Sequence, residues 1–143
     1  MSRILVIDEN VKNAERISLF LQREGHEVHT DYNGQDGWKE VVGWVPELLI
    51  TEISLPGMDG FELIARVRDN YPDIKIIIMS SRVVINAFEY LKVAKSFGIE
   101  FSILKPFRDE YLRLIINRII SSERHSTVQT EQAGNWRRSG LKM

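Results

Sequence analysis

Five short apolar runs constrain the fold of this chain more than any other feature of its sequence. The first and third are unbroken series of valine, isoleucine and leucine, without the polar alternation of a half-exposed strand. The runs are Ile4–Ile7, Val28 with its neighbours, Leu48–Ile50, Ile74–Met79 and Phe101–Leu104. Such runs are typical of strands that are covered on both faces, as in a parallel sheet.

Segments with helical spacing separate these runs. Their apolar residues recur at intervals of three and four, which predicts one buried face for each helix. The clearest examples are Val11, Ala14, Ile17 and Leu21, and then Phe61, Ile64 and Ala65. Asn10 and Asn33 are placed to cap helices, and Gly25 and Gly98 lie where helices should stop. The alternation predicts the α/β class, with a doubly wound five-stranded parallel sheet flanked by five helices.

Length and composition indicate one domain, over residues 1–120, followed by a polar tail over 121–143 that is expected to be poorly ordered alone. The absence of cysteine excludes disulfides and thiolate metal sites and suits a cytoplasmic location. No apolar stretch approaches the eighteen or so residues of a membrane span, and no signal peptide is predicted. The net charge is -1, and the basic excess is confined to the last 23 residues, which disfavours nucleic-acid binding.

Polar side chains follow the predicted strands at the points where the strands end. Asp8 and Glu9 follow the first strand and Glu52 ends the third. Ser80 ends the fourth strand and Lys105 the fifth. In a doubly wound sheet these ends converge on one site. Crowded carboxylates repel one another unless a cation lies among them, and an oxygen-only ligand set suits Mg²⁺.

Three motifs carry a resemblance to a known family. They are the strand and acidic pair at residues 4–10, the loop at 55–63, and the Lys-Pro-Phe sequence at 105–107. In this combination and order, the chain resembles the receiver domain of two-component response regulators over residues 3 to about 120. The resemblance implies the flavodoxin-like receiver fold.

The resemblance also implies roles for the residues at the strand ends. Asp8 and Glu9 would bind Mg²⁺, with Glu52 and the backbone carbonyl of Ser54 as further ligands. Position 52 would be the phospho-acceptor. The residues that would contact the phosphoryl group are Ser80 and Lys105.

Glu52 departs from the family, which has aspartate at this position. The extra methylene displaces the carboxylate by about 1 Å, and such a displacement can cost about a hundredfold in rate. The longer acid reaches toward the space of a phosphoryl group, where it can bond Lys105 or Ser80. A carboxylate has one charge and two acceptor atoms, against roughly -1.5 to -2 and three for a phosphate. We therefore expect Glu52 to be a partial phospho-mimic and Mg²⁺ binding to be weakened.

Two further departures lie on the expected output side. Ser102 stands where the family usually has tyrosine or phenylalanine, and the adjacent Phe101 should point to the other face unless a bulge re-aims it. The segment between the fourth and fifth strands is about three residues longer than usual, which is close to one helical turn. Phe88, Tyr90 and Leu91 lie in this segment, where most are expected to be core residues of the fourth helix. If Phe88 or Tyr90 faces outward, a rebuilt partner surface is indicated.

These features support a leading hypothesis and two alternatives. The leading hypothesis is a non-catalytic, atypical receiver that binds a histidine kinase or a downstream effector, or forms a homodimer, through its fourth helix, fifth strand and fifth helix. Neither nucleic acid nor membrane is an expected partner. One alternative is a conventional receiver that accepts phosphate from a histidine kinase. The other is a small Mg²⁺-dependent enzyme acting on phosphate esters.

Two pairs of residues receive structural interpretations. His26 and His29 are three apart near the second strand, which places them on opposite faces and disfavours a shared metal. Trp38 and Trp44 lie on the second helix, where packing against the core is the expected role.

Overall fold

Strands and helices alternate along the chain as predicted. The computed structural model describes residues 1–81, 92, 95–99 and 101–121. The strands are β1 (Arg3–Ile7), β2 (Glu27–Asp31), β3 (Leu48–Glu52), β4 (Lys75–Ser81) and β5 (Phe101–Lys105). The helices are α1 (Val11–Arg23), α2 (Gly34–Trp44), α3 (Gly60–Asn70) and a C-terminal helix that occupies residues 109–121.

The five strands form one sheet in the order β2-β1-β3-β4-β5, and each neighbouring pair is parallel. Every residue of β3 is buried, as are the last four of β1, so these two central strands are covered on both faces. Unbroken apolar runs require this covering, and the predicted parallel sheet is confirmed. The chain crosses from β2 past β1 to β3, so the strand order reverses beside β1.

The predicted helix ends are also confirmed. Asn10 and Asn33 cap α1 and α2, each accepting a hydrogen bond from the backbone N–H three residues on, at 3.0 and 2.8 Å. Asp59, for which no cap was predicted, does the same for α3 at 2.9 Å. Gly25 and Gly98 have φ angles of 92° and 72°, a left-handed conformation that glycine adopts without strain.

One large apolar cluster packs between the sheet and the helices α2 and α3. Trp38 and Trp44 are partly buried against it, which confirms their predicted packing role. Tyr71 meets the Trp38 ring edge-on at 6.2 Å. The buried members are Leu5, Ile7, Val41, Leu49, Leu55, Met58, Leu63, Ile64, Val67, Ile74, Ile76, Ile78 and Ile99.

Gly60 fixes the start of α3 against the end of β3. A Cβ atom at this position would lie 2.6 Å from the Cα of Ile53 and 2.7 Å from the carbonyl oxygen of Glu52. The Gly60 N–H donates to the carbonyl of Ile53 at 2.8 Å. The backbone that carries Glu52 therefore packs directly on the helix terminus, with no room for a side chain between them.

Residue contacts divide the chain into two units, Met1–Phe107 and Arg108–Met143. The first contains the whole sheet. The second contains the C-terminal helix, of which one face is buried, at Leu112, Ile115, Ile116 and Ile119. The tail predicted from residue 121 lies outside the described residues, except for Ser121, which is helical. None of the described helices is both long and apolar enough to cross a membrane.

Most of the helix predicted between β4 and β5 also lies outside the described residues, including Phe88 and Tyr90. Of this segment, residues 92, 95 and 96 are described as helical. The partner surface predicted there stays a prediction.

Substitution of Gly60 tests the close approach of α3 to β3. Gly60→Ala should lower the free energy of unfolding by about 1–3 kcal/mol, because the new methyl group must push apart two backbones. Urea unfolding measures the change.

Gly43→Ala is the matched control, because a Cβ atom of residue 43 in α2 would have no described atom within 4 Å apart from its chain neighbours and its own helix backbone. Alanine should stabilise this helix by about 0.5–1 kcal/mol. Equal effects of the two substitutions would contradict the packing described for Gly60.

Candidate functional site

The ends of the strands bring together three of the predicted site residues. Asp8 follows β1, Glu52 ends β3 and Lys105 ends β5. Asp8 is fully buried, Glu52 is 6% exposed, and the Lys105 side chain is 20% exposed. We call Asp8, Glu52 and Lys105 the charge cluster. Ser80 is also buried, on β4, where it pairs with Leu104 of β5.

Lys105 supplies the positive charge of the charge cluster. Its Nζ donates to Oδ2 of Asp8 at 3.0 Å and forms an ion pair with Oε2 of Glu52. One ammonium group thus bridges two buried carboxylates that would otherwise repel each other. Charge-assisted contacts of this kind are the stronger ones in a poorly solvated site.

The pKa values of the pair reflect burial and mutual attraction. Burial raises the pKa of Glu52 and the nearby Asp8 adds to the rise, while Lys105 and the backbone N–H of Ser54 oppose it. Burial alone would lower the pKa of Lys105, but its contacts with Glu52 and Asp8 raise it overall. Lys105 is therefore held in its charged form.

Two neighbours orient Asp8 from the start of α1. The backbone N–H of Asn10 donates to Oδ1 at 2.9 Å, and the side-chain amide of Asn13 donates to Oδ2 at 2.6 Å. Asn13 also accepts from Nη2 of Arg16 at 3.3 Å, and the Arg16 guanidinium lies 5.3 Å from the ring centre of Phe107. Asn13 was not predicted as a site residue, although its place in the first turn after Asp8 was a usable signal.

The predicted magnesium ligands do not converge. Glu9 and Ser54 are both exposed. No group of three or more His, Cys, Asp or Glu among the described residues is arranged to hold a metal ion. The carboxylates of Asp8 and Glu52 contact Lys105 instead. This donor arrangement does not fit Mg²⁺, and the magnesium site stays a prediction.

Asp31 lies beside the charge cluster and was not singled out from the sequence. It ends β2, and its carbonyl accepts the backbone N–H of Asp8 at 3.1 Å. Its Oδ2 is buried and has no hydrogen-bond partner in the described part of the chain. Burial raises the Asp31 pKa to about 6, with Glu40 and Asp36 adding to the rise and His29 opposing it.

The two histidines have separate partners. His29 contacts Glu40 through Nδ1 and stacks on Trp44, with ring centres 3.6 Å apart and planes 7° from parallel. His26 accepts from the backbone N–H of Ser2 at 3.2 Å. These contacts give both rings a packing role at the edge of the sheet.

The output side of β5 has no bulge. Phe101 and Ser102 pair in unbroken register with consecutive residues of β4, and both are partly buried. Nothing in the strand therefore re-aims Phe101 toward the position of the missing aromatic residue. Leu104, further along β5, is 55% exposed.

The chain belongs to the family of response regulator receiver domains, whose model matches residues 4–117. It is 31% identical over 132 residues to the DNA-binding transcriptional regulator NtrC of Azospirillum brasilense, covering 92% of this chain and 27% of that protein. It is 31% identical over 121 residues to the response regulator ArlR of Staphylococcus aureus, covering 84% and 53% respectively. The chain thus spans about a quarter to a half of the length of these curated relatives.

Solved structures agree with this assignment. The chemotaxis response regulator CheY4 of Vibrio cholerae is 25% identical, with a TM-score of 0.75 over 83% of this chain and 98% of that one. A CheY-like receiver domain protein from Methanospirillum hungatei, at 22% identity, has a TM-score of 0.81 over 88% and 98%. The second likeness shows the fold alone. Together with the sheet order, they confirm the predicted flavodoxin-like receiver fold.

Asp31 gives the fold a measurable pH dependence. A carboxyl whose pKa is raised in the folded state stabilises the fold when protonated, and loses that contribution as the pH rises through about 6. Relative to Asp31→Asn, the wild type should lose about 1–2 kcal/mol of unfolding free energy between about pH 4 and about pH 7, since solvent screens part of the effect. Urea unfolding across this range measures it.

Asp73→Asn, which removes an exposed carboxylate just before β4, controls for the loss of one negative charge. A difference between wild type and Asp31→Asn that stays constant with pH would refute the assignment to Asp31.

Proposed function

We propose that this chain is an atypical receiver module of two-component phosphorelay signalling that acts by protein–protein interaction, with Glu52 as a partial mimic of a phosphorylated acceptor. The observation that carries this proposal is the contact of the buried Glu52 carboxylate with Lys105. Lys105 is the residue that the family resemblance assigns to the phosphoryl group. An acid at position 52 already supplies it with a negative partner.

The mimicry is partial because the charges differ. An ionised Glu52 offers Lys105 a single negative charge, against roughly -1.5 to -2 for a phosphoryl group. Lys105 also remains bonded to Asp8. Such a difference biases the populations of two conformations and does not lock one of them.

The same contact weighs against the conventional receiver. A carboxylate that attacks a phospho-donor must present a free oxygen in line with the leaving group. Oε2 of Glu52 is buried and paired with Lys105. The added methylene displaces the group further from the position of an aspartate.

A protein partner is the expected output of this module. The candidates are a histidine kinase, a downstream effector or a second copy of the chain. Leu104 lies on the β5 part of the proposed surface and is 55% exposed, so a partner that covered it would remove apolar area from water. Substitutions on β5 can test this proposed interaction surface.

Amide chemical shifts test the mimicry. The amide chemical shifts of Ser81 and Leu104 should be compared in three samples: Glu52→Gln, wild type, and Glu52→Asp loaded with beryllofluoride, a phosphoryl analogue. The wild-type shifts should lie between those of the other two. This order is expected because the negative charge of the group that faces Lys105 increases from the amide through the carboxylate to the phosphoryl analogue. Wild-type shifts that coincide with those of Glu52→Gln would contradict the mimicry. Glu62→Gln, which removes an exposed acid paired with Arg66, is the matched control.

Intact-mass measurement after incubation with acetyl phosphate and Mg²⁺ tests the alternative. Glu52→Asp should gain one phosphoryl group and the wild type should not, because only the shorter acid has the geometry of the family's acceptor. A wild-type gain that Glu52→Gln abolishes would favour the conventional receiver.

Sedimentation velocity tests the homodimer. If self-association uses β5, Leu104→Ser should shift the protein toward monomer, since it removes an exposed apolar contact. Val42→Ser, at a residue of α2 that is 49% exposed, should leave the distribution unchanged. A wild type that stays monomeric at every concentration leaves only a different protein as the partner.

A further inference from the structure

We infer that Lys105 is a built-in counter-ion, and that it occupies the place of a divalent cation between Asp8 and Glu52, so that the native charge cluster excludes Mg²⁺. This inference rests on the proposed function, because it takes the Lys105–Glu52 pair to be the resting state of the module. It assigns to that pair a second effect, on cation binding.

The ammonium group lies where a bridging cation would need to lie. A Mg²⁺ ion shared by Asp8 and Glu52 must contact an oxygen of each at about 2.0–2.1 Å. Nζ of Lys105 already contacts one oxygen of each, Oδ2 of Asp8 and Oε2 of Glu52. An ion could reach both oxygens only by displacing the ammonium.

Both carboxylate oxygens of Asp8 have hydrogen-bond donors as well. Oδ1 of Asp8 accepts the N–H of Asn10, and Oδ2 accepts the amide of Asn13 in addition to Lys105. Mg²⁺ demands near-octahedral ligands and gives up its water reluctantly, so it competes poorly for a carboxylate whose lone pairs are already bonded. Glu9, another of the predicted ligands, is exposed.

Charge reinforces the exclusion. The Lys105 side chain is only 20% exposed, and its ammonium group contacts both acids. An entering Mg²⁺ would lie within a few ångströms of this ammonium and be repelled by it, in a site with little water to screen the charges. Removal of the ammonium group should leave two buried carboxylates without a counter-ion, and these should then attract Mg²⁺.

Glu52 is the residue that makes this arrangement particular to the chain. Its extra methylene carries the carboxylate outward to Lys105. An aspartate at the same position would be drawn back by about 1 Å and would hold the ammonium less closely. Glu52→Asp should therefore loosen the pair and admit Mg²⁺, as Lys105→Met should by removing the charge.

Isothermal titration calorimetry of the full chain with MgCl₂, at an ionic strength held constant with NaCl, tests the inference. The wild type should show no saturable binding at millimolar Mg²⁺. Lys105→Met, which keeps the length of the side chain and loses its charge, should bind at least about ten-fold more tightly. Lys105→Arg keeps the charge and should resemble the wild type. The double variant Lys105→Met with Asp8→Asn should lose the gained binding.

Saturable wild-type binding that Lys105→Met leaves unchanged would overturn the inference. If circular dichroism shows that Lys105→Met does not fold, Glu52→Asp decides in its place: tighter binding supports the inference and unchanged binding overturns it. If the wild type binds Mg²⁺ but its Ser81 and Leu104 amide shifts still lie between those of Glu52→Gln and beryllofluoride-loaded Glu52→Asp, only the counter-ion inference is refuted. If the wild type excludes Mg²⁺ but its amide shifts do not lie between those of the two variants, only the phospho-mimicry is refuted.

Discussion

The ion pair of Lys105 with Glu52 joins two strands that are not neighbours. β4 lies between β3 and β5 in the sheet, and the lysine side chain crosses its end to reach the acid. The same ammonium reaches Asp8 beyond β1. Two buried carboxylates without a cation would raise the free energy of the fold, because desolvated like charges repel. The interaction that balances these charges is therefore also the one on which the proposed signalling state depends.

Much of this arrangement could be predicted from the sequence, because it depends on local patterns and on sheet geometry. The run Ile4–Ile7 predicted β1, and Asn10 predicted the capped start of the helix that follows. Parallel strands end at one edge of their sheet, so Asp8, Glu52 and Lys105 were expected to meet. The length of the acid predicted that Glu52 would reach Lys105 or Ser80, and the fold selects Lys105.

Other parts depend on contacts that no local pattern encodes. The exposed position of Glu9 could not be read from its place beside Asp8, because the direction of a side chain just after a strand depends on the loop. Asp31 is unusual only because tertiary burial deprives one oxygen of a partner. The sequence does not distinguish Gly60 from the other glycines, because its role depends on the backbone of β3, which packs against it only in the fold.

Asn13 has a direction, because an amide presents nitrogen on one side and oxygen on the other. Its nitrogen bonds Asp8 and its oxygen bonds Arg16, which lies beside Phe107. If a metal ion in need of an oxygen ligand bound beside Asp8, as expected for Lys105→Met, the amide would be favoured in the reversed orientation. The guanidinium would then face hydrogen-bond donors and lose an acceptor. A half-turn of one side chain could thus report the ionic state of a buried acid at the protein surface.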